Sequence, residues 1–385
     1  MYLVLIETSG NQSYIFSTNR LRENVGASEL TYRMGTQWVL EAVKDVRGPD
    51  LWTDDPSTLR LNLISAQSNP PLEQYPEKHV EVILAASGKA ILLVDEKERA
   101  RTIVNKVTVR ALEEAPGLQA YGVILPFDFN TDVHAAMNQL HARYESVRSQ
   151  LPGADSRFLR IPVITDCQSS GYPAAKMHGS ARRGFEALSA MSISKLNAAD
   201  PGLRRIRQIV PPQKQKYLPM SVQQLSAEQP EHQDGGWLAV IHADGNGLGQ
   251  VFLNFDQFVN FADTTSPEQR NRRYIDQLRA FSLALDVCTA EAFRETIDRL
   301  AHYYADEEPN EDPASARPKR LLVPLVLGGD DLTVVCEGQA ALAFSYHYVK
   351  LFHEKTSQHA DIQRILRGGA FCCVGVAIVK PHFPF

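Results

Sequence analysis

The chain has 385 residues, of which 44% are hydrophobic and 22% are charged, and its formal net charge is −5 at pH 7. A chain of this length exceeds the usual size of one hydrophobic core, so we expect two or three domains. The acidic balance argues against a protein whose whole surface is built to coat nucleic acid. The longest apolar runs, such as residues 371–379, are too short to span a bilayer.

The N-terminal residues 1–6 read as a first β-strand, because they lack the basic leader and the small-residue cleavage site of a secretory signal. We therefore expect a cytoplasmic protein without a membrane segment. The cysteines are few and odd in number, which predicts reduced core thiols rather than disulfides. They are scattered within apolar stretches, at Cys167, Cys288, Cys336, Cys372 and Cys373.

Three local clusters of basic residues interrupt the acidic composition. Each is expected to be a solvated face, because such clusters are more often surface charge than binding sites. The clusters are Lys176 with Arg182 and Arg183, then Arg204 with Arg205 and Arg207, then Arg270 with Arg272 and Arg273.

The first third of the chain predicts a mixed α/β domain. Two apolar runs on either side of Ser87-Gly88-Lys89 are typical of a β-hairpin. The helical stretch before them is predicted to break near residues 24–28. In chain order the predicted elements are strand 2–7, helical residues 12–45, hairpin strands 80–86 and 90–94, helix 96–114 and strand 120–125.

From residue 236 the same plan recurs, which identifies an internal repeat. The predicted elements are strand 237–242, a tight loop at 244–249, helix 278–304, hairpin strands 321–327 and 332–336, helix 339–354 and strand 371–380. The predicted fold class is α/β, as an α+β sandwich of two ferredoxin-like domains joined by a mainly helical connector. We predict the first domain over 1–128, the connector over 129–235 and the second domain over 236–385.

The second copy stops at Phe385, soon after its last predicted strand. A sheet of this plan is expected to continue into another helix and strand. We therefore expect the second domain to be truncated at its C-terminus, and to be completed by a following segment or by a partner chain.

Carboxylates at the ends of two apolar strands are the first chemical signal. Asp244 ends an apolar strand, and Asp330 with Asp331 occupies the turn of an apolar hairpin. Pairing these strands places three carboxylates at one edge of one sheet, where they repel one another unless cations lie between them. Phosphoryl transfer from a nucleoside triphosphate commonly uses two divalent ions about 3.5–4 Å apart, held by such groups. We therefore predict that Asp244, Asp330 and Asp331 are catalytic residues that hold two Mg²⁺ or Mn²⁺ ions.

Glycines surround the same carboxylates. Gly328 and Gly329 permit φ > 0 and let a phosphate or a base approach the hairpin backbone. The loop Gly245-Asn246-Gly247-Leu248-Gly249 follows Asp244 directly, and is predicted to aim backbone N–H groups at a triphosphate. The Gly245 carbonyl is a further candidate metal ligand. Each motif taken singly is also typical of an ordinary turn, so the prediction depends on their combination.

Lys380 follows the last predicted strand of the second domain. That strand is expected to face the site, so Lys380 is included as a nucleotide-binding candidate that contacts the triphosphate. A solvated lysine at a strand end is the alternative interpretation.

Together these motifs resemble one known family. Residues 241–249, the hairpin 327–332 and the strand 374–380 resemble the second palm domain of the large polymerase-cyclase subunit of type III CRISPR complexes. More distantly, they resemble the GGDEF nucleotide cyclases. Residues 8–16, followed by 26–30, are similar to the first palm domain of the CRISPR subunit. This second likeness favours the CRISPR family, because GGDEF enzymes have only one palm.

The resemblance implies a metal-dependent nucleotidyltransferase or cyclase that makes cyclic or linear oligonucleotide second messengers in antiviral defence. ATP is the favoured nucleoside triphosphate, and CRISPR-complex subunits and RNA are the implied partners. The first palm is expected to hold no metal, because its Ser87-Gly88-Lys89 turn lacks carboxylates.

Two other functions stay open at this point. A palm scaffold of weak activity would bind nucleotide or RNA within a ribonucleoprotein complex, although the intact carboxylates argue against it. A template-directed polymerase would need a basic nucleic-acid channel, which the acidic composition does not indicate.

Overall fold

The computed structural model describes residues 1–180, 184–219, 225, 236–306 and 321–380. Within those ranges, no helix is long and apolar enough to cross a lipid bilayer. The chain divides into two compact units, each made of segments that are separate in the sequence. Unit 1 comprises Met1–Ser17, Glu29–Lys195 and Gly249–Leu283, and unit 2 comprises Thr18–Ser28, Leu196–Leu248 and Ala284–Phe385. The domain limits predicted near residues 128 and 235 stay a prediction.

The described residues form eleven α-helices and ten strands. The helices are α1 (Asn11–Ile15), α2 (Leu21–Arg33), α3 (Val39–Asp45), α4 (Pro56–Ile64), α5 (Lys97–Glu114), α6 (Val133–Gln150), α7 (Ala190–Arg207), α8 (Leu248–Leu253), α9 (Pro267–Asp306), α10 (Ala341–Gln358) and α11 (Ala360–Ile365). The strands are β1 (Tyr2–Ser9), β2 (Val80–Ala86), β3 (Lys89–Val94), β4 (Gln119–Pro126), β5 (Lys176–Ser180), β6 (Gly184–Leu188), β7 (Leu238–Gly245), β8 (Leu322–Gly328), β9 (Asp331–Glu337) and β10 (Cys372–Val379).

The sheet of unit 1 has four antiparallel strands in the order β2-β3-β1-β4. Its central strand β1 is apolar over Leu3–Ile6, and these side chains are fully buried. Consecutive residues of β4 point to opposite faces of the sheet. Gly122 lies against Val104 of α5, while the Tyr121 ring lies 6.4 Å from the Tyr144 ring of α6. Helices α5 and α6 therefore cover opposite faces of this sheet.

The sheet of unit 2 repeats this arrangement in the order β10-β7-β9-β8. Counted within each copy, both sheets have the strand order 4-1-3-2 of a ferredoxin-like β-α-β-β-α-β fold. On one face of β7, Ala239, Ile241 and Ala243 are buried, and α10 packs on β7 and β10. The predicted internal repeat and the predicted fold class are both confirmed.

The sheet of unit 2 contains a counterpart of all four strands of the first sheet, and the expectation of a further segment that completes the second palm stays a prediction. Two details of the sequence prediction are wrong. The predicted break near residues 24–28 lies inside α2, where burial of Val25 and Ala27 outweighs the low helix propensity of their neighbours. The long helix α9 begins at Pro267, because proline is well suited to the first helical position.

A buried ionic cluster in unit 1 joins β2 to α9. The fully buried Glu81 carboxylate accepts hydrogen bonds from Arg272, at 2.6 Å, and from Arg279, and it also accepts the Leu72 N–H at 3.0 Å. Burial raises the pKa of Glu81, but these hydrogen bonds and the two guanidinium charges more than offset that effect and hold the pKa below its usual value. The interpretation of Arg272 as part of a solvated face is therefore wrong.

We expect Glu81→Gln to lower the free energy of unfolding by about 3 kcal/mol at pH 7, because it leaves two guanidinium groups without their buried partner. Since the folded pKa of Glu81 is depressed, its contribution is present above the unfolded value near 4.5 and is lost as the pH falls through the folded value. Urea unfolding at pH 7 and at pH 3 measures both effects.

Glu98→Gln is the matched control, because Glu98 forms an exposed ion pair with Arg101 within α5. This control should unfold like the wild type. Equal losses of stability in the two variants would show that the buried cluster contributes no more than a surface pair.

Candidate functional site

The structure brings the three predicted carboxylates together at one edge of the sheet in unit 2. Asp244 lies one residue beyond Ala243, which is paired with Leu332 of β9, so Asp244 lies beside Asp331. The pair Gly328 and Asp331 closes the β8-β9 hairpin and leaves Gly329 and Asp330 as its two-residue turn. Gly329 has φ +63°, a conformation that favours glycine.

Gly245 leaves the space that the Asp330 side chain occupies. A Cβ atom at Gly245 would lie 2.7 Å from Oδ2 of Asp330 and 3.0 Å from its Cβ. The Gly245 backbone also forms a hydrogen bond with the Asp330 carboxylate, which favours the charged form. Any residue larger than glycine would therefore move the Asp330 carboxylate away from the strand that carries Asp244.

Crowding perturbs two of the three carboxylates. Desolvation, the Asp330 charge and the contact with Asp244 together raise the pKa of Asp331 to about 7. Burial also raises the pKa of Asp330, and the Asp244 charge adds to this effect. Without a cation, Asp331 is therefore partly protonated near neutral pH, because crowded carboxylates cannot all ionise freely.

The chemistry of these donors fits a hard divalent cation. Carboxylate and carbonyl oxygens are the ligands that Mg²⁺ and Mn²⁺ prefer, and Gly245 places a backbone carbonyl in the same strand as Asp244. In the part of the chain that the structure describes, no three His, Cys, Asp or Glu side chains stand in a finished metal-binding arrangement. What the structure does show is three carboxylates in mutual electrostatic contact, with Asp330 seated in the space left by Gly245.

The glycine loop after Asp244 is only partly available to a ligand. The Asn246 N–H donates to the Phe371 carbonyl at 2.8 Å, so this amide is already used. Leu248 is buried, and its side chain packs against Gly245. Gly247 has φ +69°, and the space that a side chain would fill at Gly247 and Gly249 is open. The backbone at Gly247 and Gly249 is therefore the part of this loop that neighbouring side chains leave open.

Lys380 does not join the carboxylates. Cys373 pairs with Asp244 at one end of β10, whereas Val379 pairs with Leu238 at the other end. A strand rises about 3.3 Å per residue, so Lys380 lies roughly 20 Å along the sheet from Asp244. Its ammonium group instead lies 4.4 Å from the centre of the Trp237 ring. We therefore correct the prediction that Lys380 contacts a triphosphate held at these carboxylates.

Two residues of α9 hold the hairpin turn from the helical side, and sequence reasoning missed both. The Thr289 hydroxyl donates to the Gly329 carbonyl at 2.7 Å, and the Gly329 N–H donates to Asp286 at 3.3 Å. They lie about 40 positions before the turn, in a helix where no motif marks them. A polar pair spaced by three residues on one helix face is the only sequence signal that points to them.

The sheet face that carries the Asp244 side chain is exposed to solvent next to Asp244. His242 lies on this face, and its Nδ1 atom is 2.9 Å from the Thr333 hydroxyl. In β10, Cys373 stands opposite Asp244 and Gly375 stands opposite His242, and both are exposed. Four of the cysteines are buried thiols, as predicted. Cys373 is exposed, so the prediction of a core thiol is wrong for this residue.

The matching turn of the first sheet has different chemistry. The Thr8 hydroxyl donates to the Gly88 carbonyl at 3.1 Å, and the Thr8 N–H donates to the same carbonyl at 2.8 Å. Lys89 pairs with Glu7 at 3.3 Å. Glu7 stands opposite Lys89 at the start of β3, as Asp244 stands opposite Asp331 at the start of β9, so an ion pair takes the place of two facing carboxylates.

We expect Asp331→Asn to raise the melting temperature in metal-free buffer at pH 8, because it removes a charge that the cluster opposes. The folded pKa of Asp331, about 7, lies above the unfolded value of 3.8, so wild-type stability falls as the pH rises between these values. The gain should therefore be large at pH 8 and small at pH 4. Thermal unfolding in the presence of EDTA measures it.

Asp54→Asn serves as the control, because Asp54 is an exposed carboxylate of unit 1. Its melting temperature should follow the wild type at both pH values. A pH-independent gain in Asp331→Asn would contradict the crowding of the three carboxylates.

The fold of the chain is similar to that of proteins of known structure. No protein-family model and no curated protein matches the chain. Among the solved structures that match over its whole length are the Csm1-Csm4 cassette with pppApApA (14% identity, TM-score 0.51), with AMPPNP (13%, 0.50) and with cA4 (13%, 0.52). The chain spans about half the length of these matched chains. Its fold is that of Csm1, the polymerase-cyclase subunit of the type III CRISPR complexes that its motifs resemble.

Proposed function

We propose that this protein is a metal-dependent nucleotidyltransferase that joins nucleoside triphosphates into cyclic or linear oligonucleotides. The observation that carries the proposal is the position of Asp330 in the space left by Gly245, with Asp331 beside Asp244 on the paired strand. A cluster with this much uncompensated negative charge costs stability unless a cation or a proton relieves it. Proteins retain destabilising features of this kind mainly at functional sites.

Asp244, Asp330 and Asp331 would hold the ions, together with the Gly245 carbonyl. Mg²⁺ or Mn²⁺ held there would lower the pKa of an attacking hydroxyl and would neutralise charge on the pyrophosphate. In the proposed step the oxygen of a 3′-hydroxyl forms a bond to the α-phosphorus and its proton passes to solvent. The bond from that phosphorus to the bridging oxygen breaks, and pyrophosphate leaves. Thr289 and Asp286 would act as positioning residues, because they hold the turn that carries Asp330.

The glycines would line the path of the triphosphate. Gly247 and Gly249 leave open space beside the end of β7, and Gly329 adopts the positive φ that exposes the hairpin turn. Gly328, at the end of β8, completes the same turn. Side chains at these positions would occupy the space that phosphates need.

ATP is the substrate we favour. Csm1-Csm4 cassettes of the same fold have been solved with AMPPNP, pppApApA and cA4. We extend from those proteins to this chain the use of an adenine nucleotide, a partner subunit of a CRISPR complex and a role in antiviral defence. A cytoplasmic location fits the proposal, because nucleoside triphosphates and RNA are found there.

Catalytic activity separates this proposal from a palm scaffold of weak activity. We expect the wild-type protein to convert ATP, in Mg²⁺ or Mn²⁺, into oligonucleotide products that mass spectrometry identifies. Asp330→Asn and Asp331→Asn should each lower product formation by about 100-fold or more, because each removes a carboxylate that holds the ions. The other three nucleoside triphosphates, tested in parallel, determine base specificity.

Asp54→Asn is again the matched control, since it removes a carboxylate of unit 1 and should keep wild-type rates. Wild-type turnover in both site variants would refute the assignment. ATP binding without product in the wild type would favour the scaffold instead.

A further inference from the structure

A tyrosine of α10 is buried under the sheet of unit 2. Helix α10 packs on β7 and β10, and it carries Phe344, Tyr348 and Phe352 at intervals of four residues, all fully buried. Residues at this spacing share one helix face. The Tyr348 ring lies 6.1 Å from the Phe344 ring and 6.2 Å from the Phe352 ring. Since phenylalanine occupies the positions one turn before and one turn after, packing alone does not account for the Tyr348 hydroxyl.

Among the residues that the structure describes, the Tyr348 hydroxyl has no hydrogen-bond partner with normal geometry. The Thr289 hydroxyl is a neighbour, but it donates its own proton to the Gly329 carbonyl at 2.7 Å. Buried polar groups without a partner are rare in folded proteins, because no new contact replaces the hydration that they lose. The Tyr348 hydroxyl is therefore a buried donor that the contacts of the fold leave unused.

Asp330 lies on the same side of the sheet as this hydroxyl. Gly245 belongs to the buried face of β7, together with Ala243 two residues before it. The Asp330 side chain occupies the space left by Gly245. On the neighbouring strand, Cys372 is paired with Gly245 and is also buried. Since α10 covers this face of β7 and β10, Tyr348 and Asp330 approach the same end of the sheet from the same side.

The electrostatic surroundings of Tyr348 agree with this placement. Burial raises the pKa of Tyr348 well above its ordinary value, and the neighbouring acidic groups of Cys372, Asp330 and Asp331 act in the same direction. Tyr348 therefore keeps its proton at neutral pH and remains a hydrogen-bond donor beside two carboxylates. An ionised carboxylate accepts a stronger hydrogen bond than a neutral group does.

We propose that Tyr348 is a positioning residue of the metal site, whose hydroxyl donates to the Asp330 carboxylate when that carboxylate is ionised to hold a divalent cation. This inference rests on the proposed function and extends it to a residue that does not touch the cation. Metal ligands are commonly oriented by such hydrogen bonds, and loss of the partner typically lowers metal affinity or activity by about 10- to 100-fold. Tyr348 would thus hold Asp330 from α10, while Thr289 and Asp286 hold the turn from α9.

Binding of Mn²⁺ to the 385-residue protein, without nucleotide, tests this proposal. The Kd is measured from the electron paramagnetic resonance signal of free Mn²⁺. Tyr348→Phe should raise this Kd about tenfold. Its melting temperature in EDTA should equal or exceed that of the wild type, because the change keeps the ring and removes a buried hydroxyl that has no partner. A purely structural role predicts the reverse, a lower melting temperature with an unchanged Kd.

Tyr346→Phe is the matched control, because it removes an exposed hydroxyl of the same helix, one that Lys350 contacts. This variant should keep the wild-type Kd for Mn²⁺ and the wild-type melting temperature. The proposal is overturned if Tyr348→Phe binds Mn²⁺ as tightly as the wild type, or if its melting temperature in EDTA falls below the wild-type value.

Product formation from ATP, measured on the same proteins, separates this inference from the proposed function. Tyr348→Phe should lose about tenfold in rate at limiting Mn²⁺ and less at saturating Mn²⁺, because the change weakens the hold on the cation. A wild type that binds Mn²⁺ but forms no product refutes nucleotidyl transfer, while the two Kd values still decide the role of Tyr348. A wild type that binds no Mn²⁺ overturns both, because the metal site is then absent.

Discussion

Mutual repulsion among Asp244, Asp330 and Asp331 is the constraint on which the rest of this site depends. Three carboxylates at one sheet edge oppose folding unless the backbone brings them together for another reason. The antiparallel pairing of β7 with β9 does so, because it sets Asp331 beside Asp244 whatever their charges. Gly245 then admits Asp330 at a distance that any side chain would prevent. The polar contacts from α9 hold the same turn from the other side.

The two sheets show how one topology supports different chemistry. Both have the strand order 4-1-3-2, and in both a two-residue turn meets the end of the first strand. In unit 1 the turn meets β1 through the hydrogen bond from Thr8 to Gly88 and the ion pair of Glu7 with Lys89. The helical residues between α2 and α3 approach this turn at Gly35, where a Cβ would lie 2.3 Å from the Ala86 carbonyl oxygen. In unit 2 carboxylates meet at the corresponding place. There the Thr289 and Asp286 side chains of α9 contact the turn, where unit 1 has a close approach of helix backbone. The fold supplies the position, and the side chains at two strand ends determine the function.

Similarity to the Csm1 structures supports the fold and leaves the activity to be measured. Sequence identity of 13–14% is low, and the chain corresponds to about half of each matched protein. The argument for nucleotidyl transfer therefore comes from the local geometry of the carboxylates and glycines.

The sequence by itself determined the repeated β-α-β-β-α-β plan, because apolar runs of strand length and glycine turns recur in the same order twice. It also identified the three carboxylates, since strands joined by a short turn must pair and bring their ends together. The position of Lys380 depended on strand register, which places β10 antiparallel to β7 and sends Lys380 to the far end of the sheet. The roles of Thr289, Asp286 and Arg272 were decided only by tertiary structure. Each depends on a partner distant in the sequence, and a residue type alone does not carry that information.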